Sequence, residues 1–241
     1  MRAGDRPRRR FGDGGSAVLT VLMVTMLLSS LALSLVLMTI LETWSAANFR
    51  SASETQFAAE AGLERALVDL AAAPDWSPVL DGSSSSTCLD GADGQRTLAD
   101  GTILDLTEVA NRANCGHAAA CSPAEMDDVT AERPWGPNNP RWRLFIHATL
   151  DILTDGQALR SSSYVVVLVG DDPSETDADP LRDGIAGESP GAGVLLVRSQ
   201  AFGSGGARKI VEATVMCTGG GAGSPAPVRL VSWRAIREPV F

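Results

Sequence analysis

The chain has 241 residues, 44% of them apolar, which suffices for one or two domains with a buried core. Its 24 glycines and 13 prolines lie only modestly above average usage, so the composition excludes a chain that is disordered throughout. The net charge of −9 divides into +3 for residues 1–15 and −12 for the rest, where Lys209 is the only lysine. Because a nucleic-acid-binding domain carries a basic surface, we expect no nucleic-acid partner.

Residues 16–41 form an apolar segment without a charge, a proline or a glycine. As a helix these 26 residues would extend about 39 Å, enough to cross a hydrocarbon core about 30 Å thick. Arginines precede the segment, and Glu42 is the first charge after it. The positive-inside rule therefore places the N-terminus in the cytoplasm and the acidic remainder outside.

A secretory signal peptide is the main alternative for this segment, and residues 45–47, Ser-Ala-Ala, offer a weak cleavage site. The apolar region of a signal peptide has about 7–15 residues, far fewer than are present here. A helix in the core of a soluble protein would not have flanks of such unequal charge. The pattern favours a membrane helix that stays on the protein.

The helical pattern continues beyond the membrane segment through residues 42–73, where Gly62 is the one glycine, until Pro74 and Pro78 interrupt it. This second half is amphipathic, so it needs a surface to pack on. The apolar face is predicted to hold Leu63, Leu67 and Leu70 with Phe57 and Ala66 nearby, and the polar face Glu54, Glu64 and Asp69.

The first quarter of the chain resembles type IV pilin-like proteins. A basic leader ends in Gly14 and Gly15, and a small residue, Ser16, opens an uncharged helix. Within that family, residues 16–20 (SAVLT) and 57–64 (FAAEAGLE) resemble the PilX-type minor pilins, and residues 194–202 and 230–234 resemble their strands. The resemblance implies that a prepilin peptidase cleaves between Gly15 and Ser16 and that the apolar helix remains on the mature protein.

The resemblance also implies a function and a location. A PilX-type minor pilin is a nonenzymatic subunit that primes or caps assembly of a bacterial type IV pilus, with a contribution to adhesion as a further expectation. It would begin in the inner membrane, pack against other major and minor pilins through its N-terminal helix, and end in the extracellular pilus. Two alternatives remain: an uncleaved single-pass anchor for an exported binding domain, and a minor pseudopilin of a type II secretion system.

Thr20 departs from the family pattern. Most pilins carry a glutamate at the fifth mature position, thought to pair with the free amine of a neighbouring subunit. A carboxylate inside the membrane is costly unless it is paired, so its absence removes one means of drawing this subunit beneath another. By analogy with pseudopilins that lack the glutamate, Thr20 favours a place at the filament tip or in an initiating complex.

The exported part is expected to adopt an α+β, pilin-like fold in which the long helix packs on a mostly antiparallel sheet. Residues 81–100 look irregular, and residues 102–111 indicate a short strand or helix. Strands are predicted at 142–152 from strict alternation, at 164–169 from a valine-rich run covered on both faces, at 194–202 and 208–217 around a glycine-rich hairpin turn, and at 228–237 after a flexible linker. The predicted regions are a leader (1–15), a transmembrane part (16–41), an amphipathic part (42–73), an irregular region (74–141) and a sheet region (142–241).

Four cysteines, all after the membrane segment, are disulfide candidates, since an oxidising periplasm permits such bonds. Three pairings are possible, and Cys88 with Cys115 or Cys121 would pin the irregular segment before the sheet. Cys115 and Cys121 with His117 between them also suggest zinc, although the spacing is not that of a zinc finger. The candidates are Cys88, Cys115, Cys121 and Cys217.

Residues 171–188 form an acidic segment with Arg182 as its one basic residue. Calcium takes six to eight oxygen ligands from such loops, although the spacing of an EF-hand is absent and many acidic loops are merely solvated. The predicted calcium ligands are Asp171, Asp172, Asp177, Asp179 and Asp183, within a segment that also holds Glu175 and Glu188.

The sequence offers no pattern of an enzyme. His117 and His147 are its only histidines, and neither a nucleophile elbow, a Walker loop nor a paired-histidine metal motif is present. His147 is most simply a residue on the face of a strand. We therefore expect no catalytic residue and, apart from calcium, no cofactor.

Overall fold

The computed structural model describes residues 14–73, 75–154, 156, 161–175, 177–184, 193–217 and 227–236. The chain divides into two units between Phe49 and Arg50, and the first helix contributes to both. The helices are α1 (Gly14–Ala72), α2 (Ser77–Leu80), α3 (Leu106–Cys115), α4 (Pro123–Asp127) and α5 (Leu150–Leu153), with 3-10 turns at Gly136–Asn138 and Ser204–Gly206. The strands are β1 (Gln95–Thr97), β2 (Ile103–Asp105), β3 (Arg143–Thr149), β4 (Tyr164–Asp171), β5 (Val194–Phe202), β6 (Arg208–Cys217) and β7 (Val228–Ile236).

Helix α1 is long because no proline interrupts it before its end at Ala72. Its residues 15–50 are all exposed, and among the described helices it alone is long and apolar enough to span a membrane. Hydroxyl groups in this stretch bond to backbone carbonyls of the same helix, which leaves them satisfied in an apolar medium. These residues are Thr20, Thr25, Ser30, Ser34 and Thr39.

The main sheet is an antiparallel meander in the order β3-β4-β5-β6-β7, so every strand pairs with its neighbour in sequence. Strand β4 is buried along its whole length, as its continuous valine run predicted. Strands β5 and β6 form the predicted hairpin, with Phe202 paired to Arg208 across the glycine-rich turn. The α+β prediction is confirmed: one long N-terminal helix and one antiparallel sheet.

The second half of α1 packs on one face of this sheet. Its buried stripe of Ala59, Leu63, Ala66 and Leu70 follows the spacing of three and four residues that puts side chains on one side of a helix. Gly62 allows the close approach, because a Cβ there would overlap a methyl group of Val165 in β4. The predicted packing face is therefore correct for its leucines and for Ala66.

Phe57 was placed on this packing face by the sequence, and that prediction is wrong. Its side chain is 69% exposed. Six residues separate it from Leu63, which at 100° per residue rotates it about 240° around the helix axis. Val68 lies eleven residues after Phe57, about 20° away, and is also exposed. These two apolar side chains share an outward face.

Helix α3 covers the opposite face of the sheet at β3 and β4. Leu106, Val109 and Ala113 of α3 join a second apolar cluster with Val166 and Leu168. The Asp105 carboxylate caps the helix by accepting from the backbone N–H groups of Thr107 and Glu108. The stretch predicted as a strand or a helix is thus both, β2 followed by α3.

Strand β3 is shorter than its alternating pattern predicted. It ends at Thr149, and residues 150–153 form α5 instead of continuing to Ile152 as a strand. The alternation is also broken at Phe145 by a bulge in the pairing with β4. Both faces of β3 are buried, so Phe145 and His147 lie inside with Ile146. Leu89 forms an isolated parallel β-bridge with His147 of this strand.

Candidate functional site

The exposed part of α1 is the largest apolar surface of the described chain. Every large apolar side chain from Val18 to Leu41 that the structure describes is about half exposed or more. Soluble monomers rarely expose continuous apolar patches of this length. This surface can be covered by lipid or by the helices of other subunits.

The predicted processing site lies at the beginning of this helix. Gly15 and Ser16 are in the first turns of α1 and are exposed, and a Cβ added at Gly15 would meet no other atom within 4 Å. The rest of the predicted leader, residues 1–13, lies outside the described residues. Cleavage after Gly15 stays a prediction. At the fifth mature position, the Thr20 hydroxyl donates to the Ser16 carbonyl oxygen at 2.9 Å.

The cysteines form one disulfide, between Cys115 at the end of α3 and Cys121 in the loop after it. The sequence left the connectivity open, and the structure joins neither of these residues to Cys88. Neither Cys115 nor Cys121 is left as a thiolate for a metal, so this pair does not offer zinc its sulfur ligands. The bond closes a short loop and holds the end of α3 against the turn that precedes α4.

Cys88 and Cys217 are free thiols that contact the same apolar cluster, Cys88 near β3 and Cys217 at the end of β6. Cys88 precedes Leu89, which pairs with His147 of β3, whereas Cys217 ends β6. Four interstrand spacings therefore separate Cys88 from Cys217. At about 4.8 Å each these spacings total roughly 19 Å, far beyond the roughly 7 Å over which two Cα atoms can be bridged. Cys88 is buried in the core beneath α1.

Three acidic side chains come together where the connection between β4 and β5 begins and ends. Asp171 is the last residue of β4. Glu175 lies four residues after it, and Asp183 lies nearer in sequence to the start of β5 than the other two. One oxygen of each carboxylate lies within 4.8 Å of the other two. Asp171 and Glu175 are only 3% and 2% exposed. The arrangement is a compact set of oxygen ligands.

This cluster contains two of the five predicted calcium ligands, Asp171 and Asp183, and adds Glu175. Asp172 and Asp177 are engaged in local turns instead, where they accept from the backbone N–H groups of Ser174 at 3.1 Å and Asp179 at 3.0 Å. Asp179 is also absent from the cluster. The structure therefore groups only two of the five predicted ligands, and calcium binding itself stays a prediction. Glu188 lies outside the described residues.

Burial raises the pKa of all three clustered carboxyl groups. The pKa of Asp171 rises to about 8, with the neighbouring carboxylate of Glu175 as the next cause. That of Glu175 rises to about 7, with Asp183 contributing after burial. The pKa of Asp183 is also raised. In each case the apolar surroundings disfavour the charged form and nearby negative charge disfavours it further.

The two histidines lie on different elements and have different surroundings. His147, in β3, is buried, and its Nε2 lies 3.3 Å from Oδ1 of the exposed Asp93. Burial, followed by the positive charge of Arg96, lowers the pKa of His147 below its usual range. His117 lies beside the disulfide, with Nε2 3.3 Å from Glu125 Oε1. Neither of these contacts places the histidine beside a nucleophile that it could activate as a base.

Comparison with models of known protein families, with curated proteins and with solved structures finds no match to this chain. The long apolar N-terminal helix and the antiparallel sheet are compatible with a pilin-like fold. That helix is consistent with a single-pass anchor.

Proposed function

We propose that the chain is a minor pilin of a type IV pilus, a nonenzymatic subunit that is held in the inner membrane and then packed by its helix into a filament. The observation that carries the proposal is α1 itself. Its residues 16–41 are uncharged and exposed, while residues 59–70 of the same helix are anchored on the sheet. A helix of this kind joins a membrane-compatible surface to a folded domain without a linker.

The outward face of the anchored half supports packing between subunits. Phe57 and Val68 lie about 20° apart around the helix and are 69% and 62% exposed. Apolar side chains that project away from the core of one subunit can pack against the helices of the next subunit, with the ridges of one helix in the grooves of the other. The resemblance of residues 16–20 and 57–64 to PilX-type minor pilins points the same way.

Thr20 supports a place at the filament tip or in an initiating complex. Its hydroxyl is satisfied within its own helix by the Ser16 carbonyl, so it demands no charged partner in the membrane. A glutamate at this position would demand one. We therefore assign the chain to priming or capping of the pilus, with prepilin peptidase and other major and minor pilins as its partners.

The experiment compares the intact mass of the membrane-extracted chain with and without co-expressed prepilin peptidase. The proposal expects loss of residues 1–15 only when the peptidase is present, and a Gly15→Leu variant, which enlarges the residue before the cleaved bond, should keep its full mass. A wild-type chain that stays intact with the peptidase would contradict the proposal and favour an uncleaved anchor for an exported binding domain.

Gene disruption separates the two filament systems. If pilus formation stops and protein export continues, the pilus assignment stands. If export stops and pili still form, the chain is a minor pseudopilin of a type II secretion system. A contribution to adhesion would appear as reduced surface attachment by cells that still display normal numbers of pili.

A further inference from the structure

The cluster formed by Asp171, Glu175 and Asp183 places three carboxyl groups together and leaves buried oxygens that the described residues do not satisfy. Oδ1 of Asp171 and Oε1 of Glu175 are buried and have no hydrogen-bond partner in the described part of the chain. A buried carboxylate oxygen without a partner is costly, and three carboxylates this close repel one another. A ligand that supplies positive charge would remove both costs.

The backbone holds these carboxylates in position. Glu175 Oε2 accepts from the N–H of Gly184 at 3.0 Å, and Asp183 Oδ1 accepts from the N–H of Gly193 at 2.6 Å. A Cβ at Gly184 would lie 2.8 Å from Glu175 Cδ, so the chain there is packed against the carboxyl group. The unpartnered oxygens of Asp171 and Glu175 are thus left in a fixed place rather than on mobile side chains.

We propose that Asp171, Glu175 and Asp183 bind a calcium ion that ties the end of β4 to the segment leading into β5. Hard cations prefer carboxylate oxygens, and three carboxylates can give up to six ligand atoms, with water completing the shell. Asp171 is the last residue of β4, and Asp183 accepts from the N–H of Gly193, the residue before β5, so the cluster lies at one end of the sheet. This role does not depend on whether the chain enters a pilus.

The number of carboxylates in the cluster favours calcium over magnesium. Two oxygens bound to one calcium ion can be separated by at most twice the metal–oxygen distance, about 4.6–5.2 Å. The three oxygens lie within 4.8 Å of one another, which accommodates calcium as the chain stands. Magnesium keeps several waters and is usually bound by one or two carboxylates, whereas this cluster presents three.

The test is a calorimetric calcium titration of the full chain in detergent, together with thermal melts in EDTA and in millimolar calcium. Glu175→Gln removes one charge from the cluster, yet its amide oxygen can still accept from Gly184. Asp177→Asn is the control, because it removes one charge from an exposed residue of the same connection that lies outside the cluster and acts on Asp171 and Glu175 only through its charge.

We expect calcium binding to produce heat and to raise the melting temperature of the wild type. The rise should persist in Asp177→Asn, somewhat reduced because one nearby negative charge is lost. Glu175→Gln should weaken binding at least tenfold and lose the rise. In EDTA the same variant should melt no lower than the wild type, because the substitution relieves repulsion. A residue with a purely structural role would instead destabilise the chain in both buffers when replaced.

Several outcomes would overturn the proposal. If millimolar calcium gave neither heat nor a higher melting temperature in the wild type, calcium binding would be excluded. Shared protons would then be what reduces the repulsion among the three carboxyl groups. Equal loss of the calcium response in Glu175→Gln and Asp177→Asn would indicate nonspecific attraction to an acidic loop. Equal stabilisation by magnesium would contradict the choice of calcium. If Glu175→Gln fails to fold, the wild-type titration still decides between binding and no binding.

Discussion

Gly62→Ala tests how closely α1 lies on the sheet. In an exposed helix this substitution stabilises the protein by roughly 1 kcal/mol, because glycine has the greater conformational freedom in the unfolded chain. Here the added Cβ would overlap a methyl group of Val165 and lie 2.6 Å from Ser199 Oγ and 3.3 Å from Val167 Cγ2, whereas carbon atoms in contact prefer about 3.5–4.0 Å. These three neighbours are fully buried, so none can move into solvent.

The expected result follows from the difference of two effects. Overpacking of a core costs roughly 1–3 kcal/mol, and the severity of this overlap places Gly62→Ala in the upper half of that range. After the helix propensity gain of roughly 1 kcal/mol is subtracted, the net loss of unfolding free energy is about 1–2 kcal/mol. The sign is opposite to that of the same substitution on an exposed face.

Denaturant unfolding of the full chain in detergent, followed by tryptophan fluorescence, measures this loss. Glu64→Ala and Glu64→Gly form the matched control at an exposed position of the same helix, where alanine should be the more stable by roughly 1 kcal/mol. Val165→Ala makes room for the new methyl group, so Gly62→Ala should cost less in that background. Stabilisation by Gly62→Ala in the wild-type background would refute the close contact between α1 and β4.

Replacing Cys115 and Cys121 together by serine should lower the unfolding free energy by about 2 kcal/mol, the chain-entropy value for so short a loop; an unchanged denaturation midpoint would show that the bond contributes nothing. The His147 ring should titrate below its usual pKa of about 6.5 in an NMR experiment, because burial disfavours its charged form. Its contribution to stability is therefore constant above that pH and falls below it by at most about 1.4 kcal/mol per pH unit, since only the unfolded chain takes up the proton. A folded-state pKa above 6.5 would contradict this assignment. Thr20→Glu should alter the position or amount of the chain in pili, and unchanged incorporation would count against a special place at the tip.

The strands that the sequence located best are those whose signals are local. The valine run of β4 and the glycine-rich turn between β5 and β6 specify their own geometry, and the structure begins and ends β5 and β6 at the predicted residues. The α1 packing face was likewise visible in the spacing of Leu63, Ala66 and Leu70. In each case neighbouring residues in the sequence are sufficient to determine which side is buried.

The predictions were wrong mainly where contacts between residues far apart in the sequence determine the structure. The alternation of residues 142–152 could not show that α3 and α1 cover both faces of β3, or that the strand ends at Thr149. Phe57 was grouped with the packing face by its proximity in sequence, although its angular position around the helix could have excluded it. A check of the 100° rotation per residue would have found this error.

The candidate sites show the same limit. Four cysteines permit three pairings, and only the fold shows that Cys115 lies beside Cys121 while Cys88 lies near β3 and Cys217 ends β6. An acidic composition could not separate Asp171, which ends a buried strand, from Asp172, which points into a local turn. Glu175 was visible only as one charge among several, because its burial depends on the path of the connection around it.

The retained apolar helix is the central claim, and the N-terminus of the chain in sheared pili tests it most directly. Mass spectrometry of the filament fraction should find this protein with Ser16 as its first residue and with residues 16–41 intact. Absence of the protein from purified filaments, or a mature chain that begins beyond Leu41, would contradict the account, because no helix would then remain to hold the subunit in the membrane or in the filament.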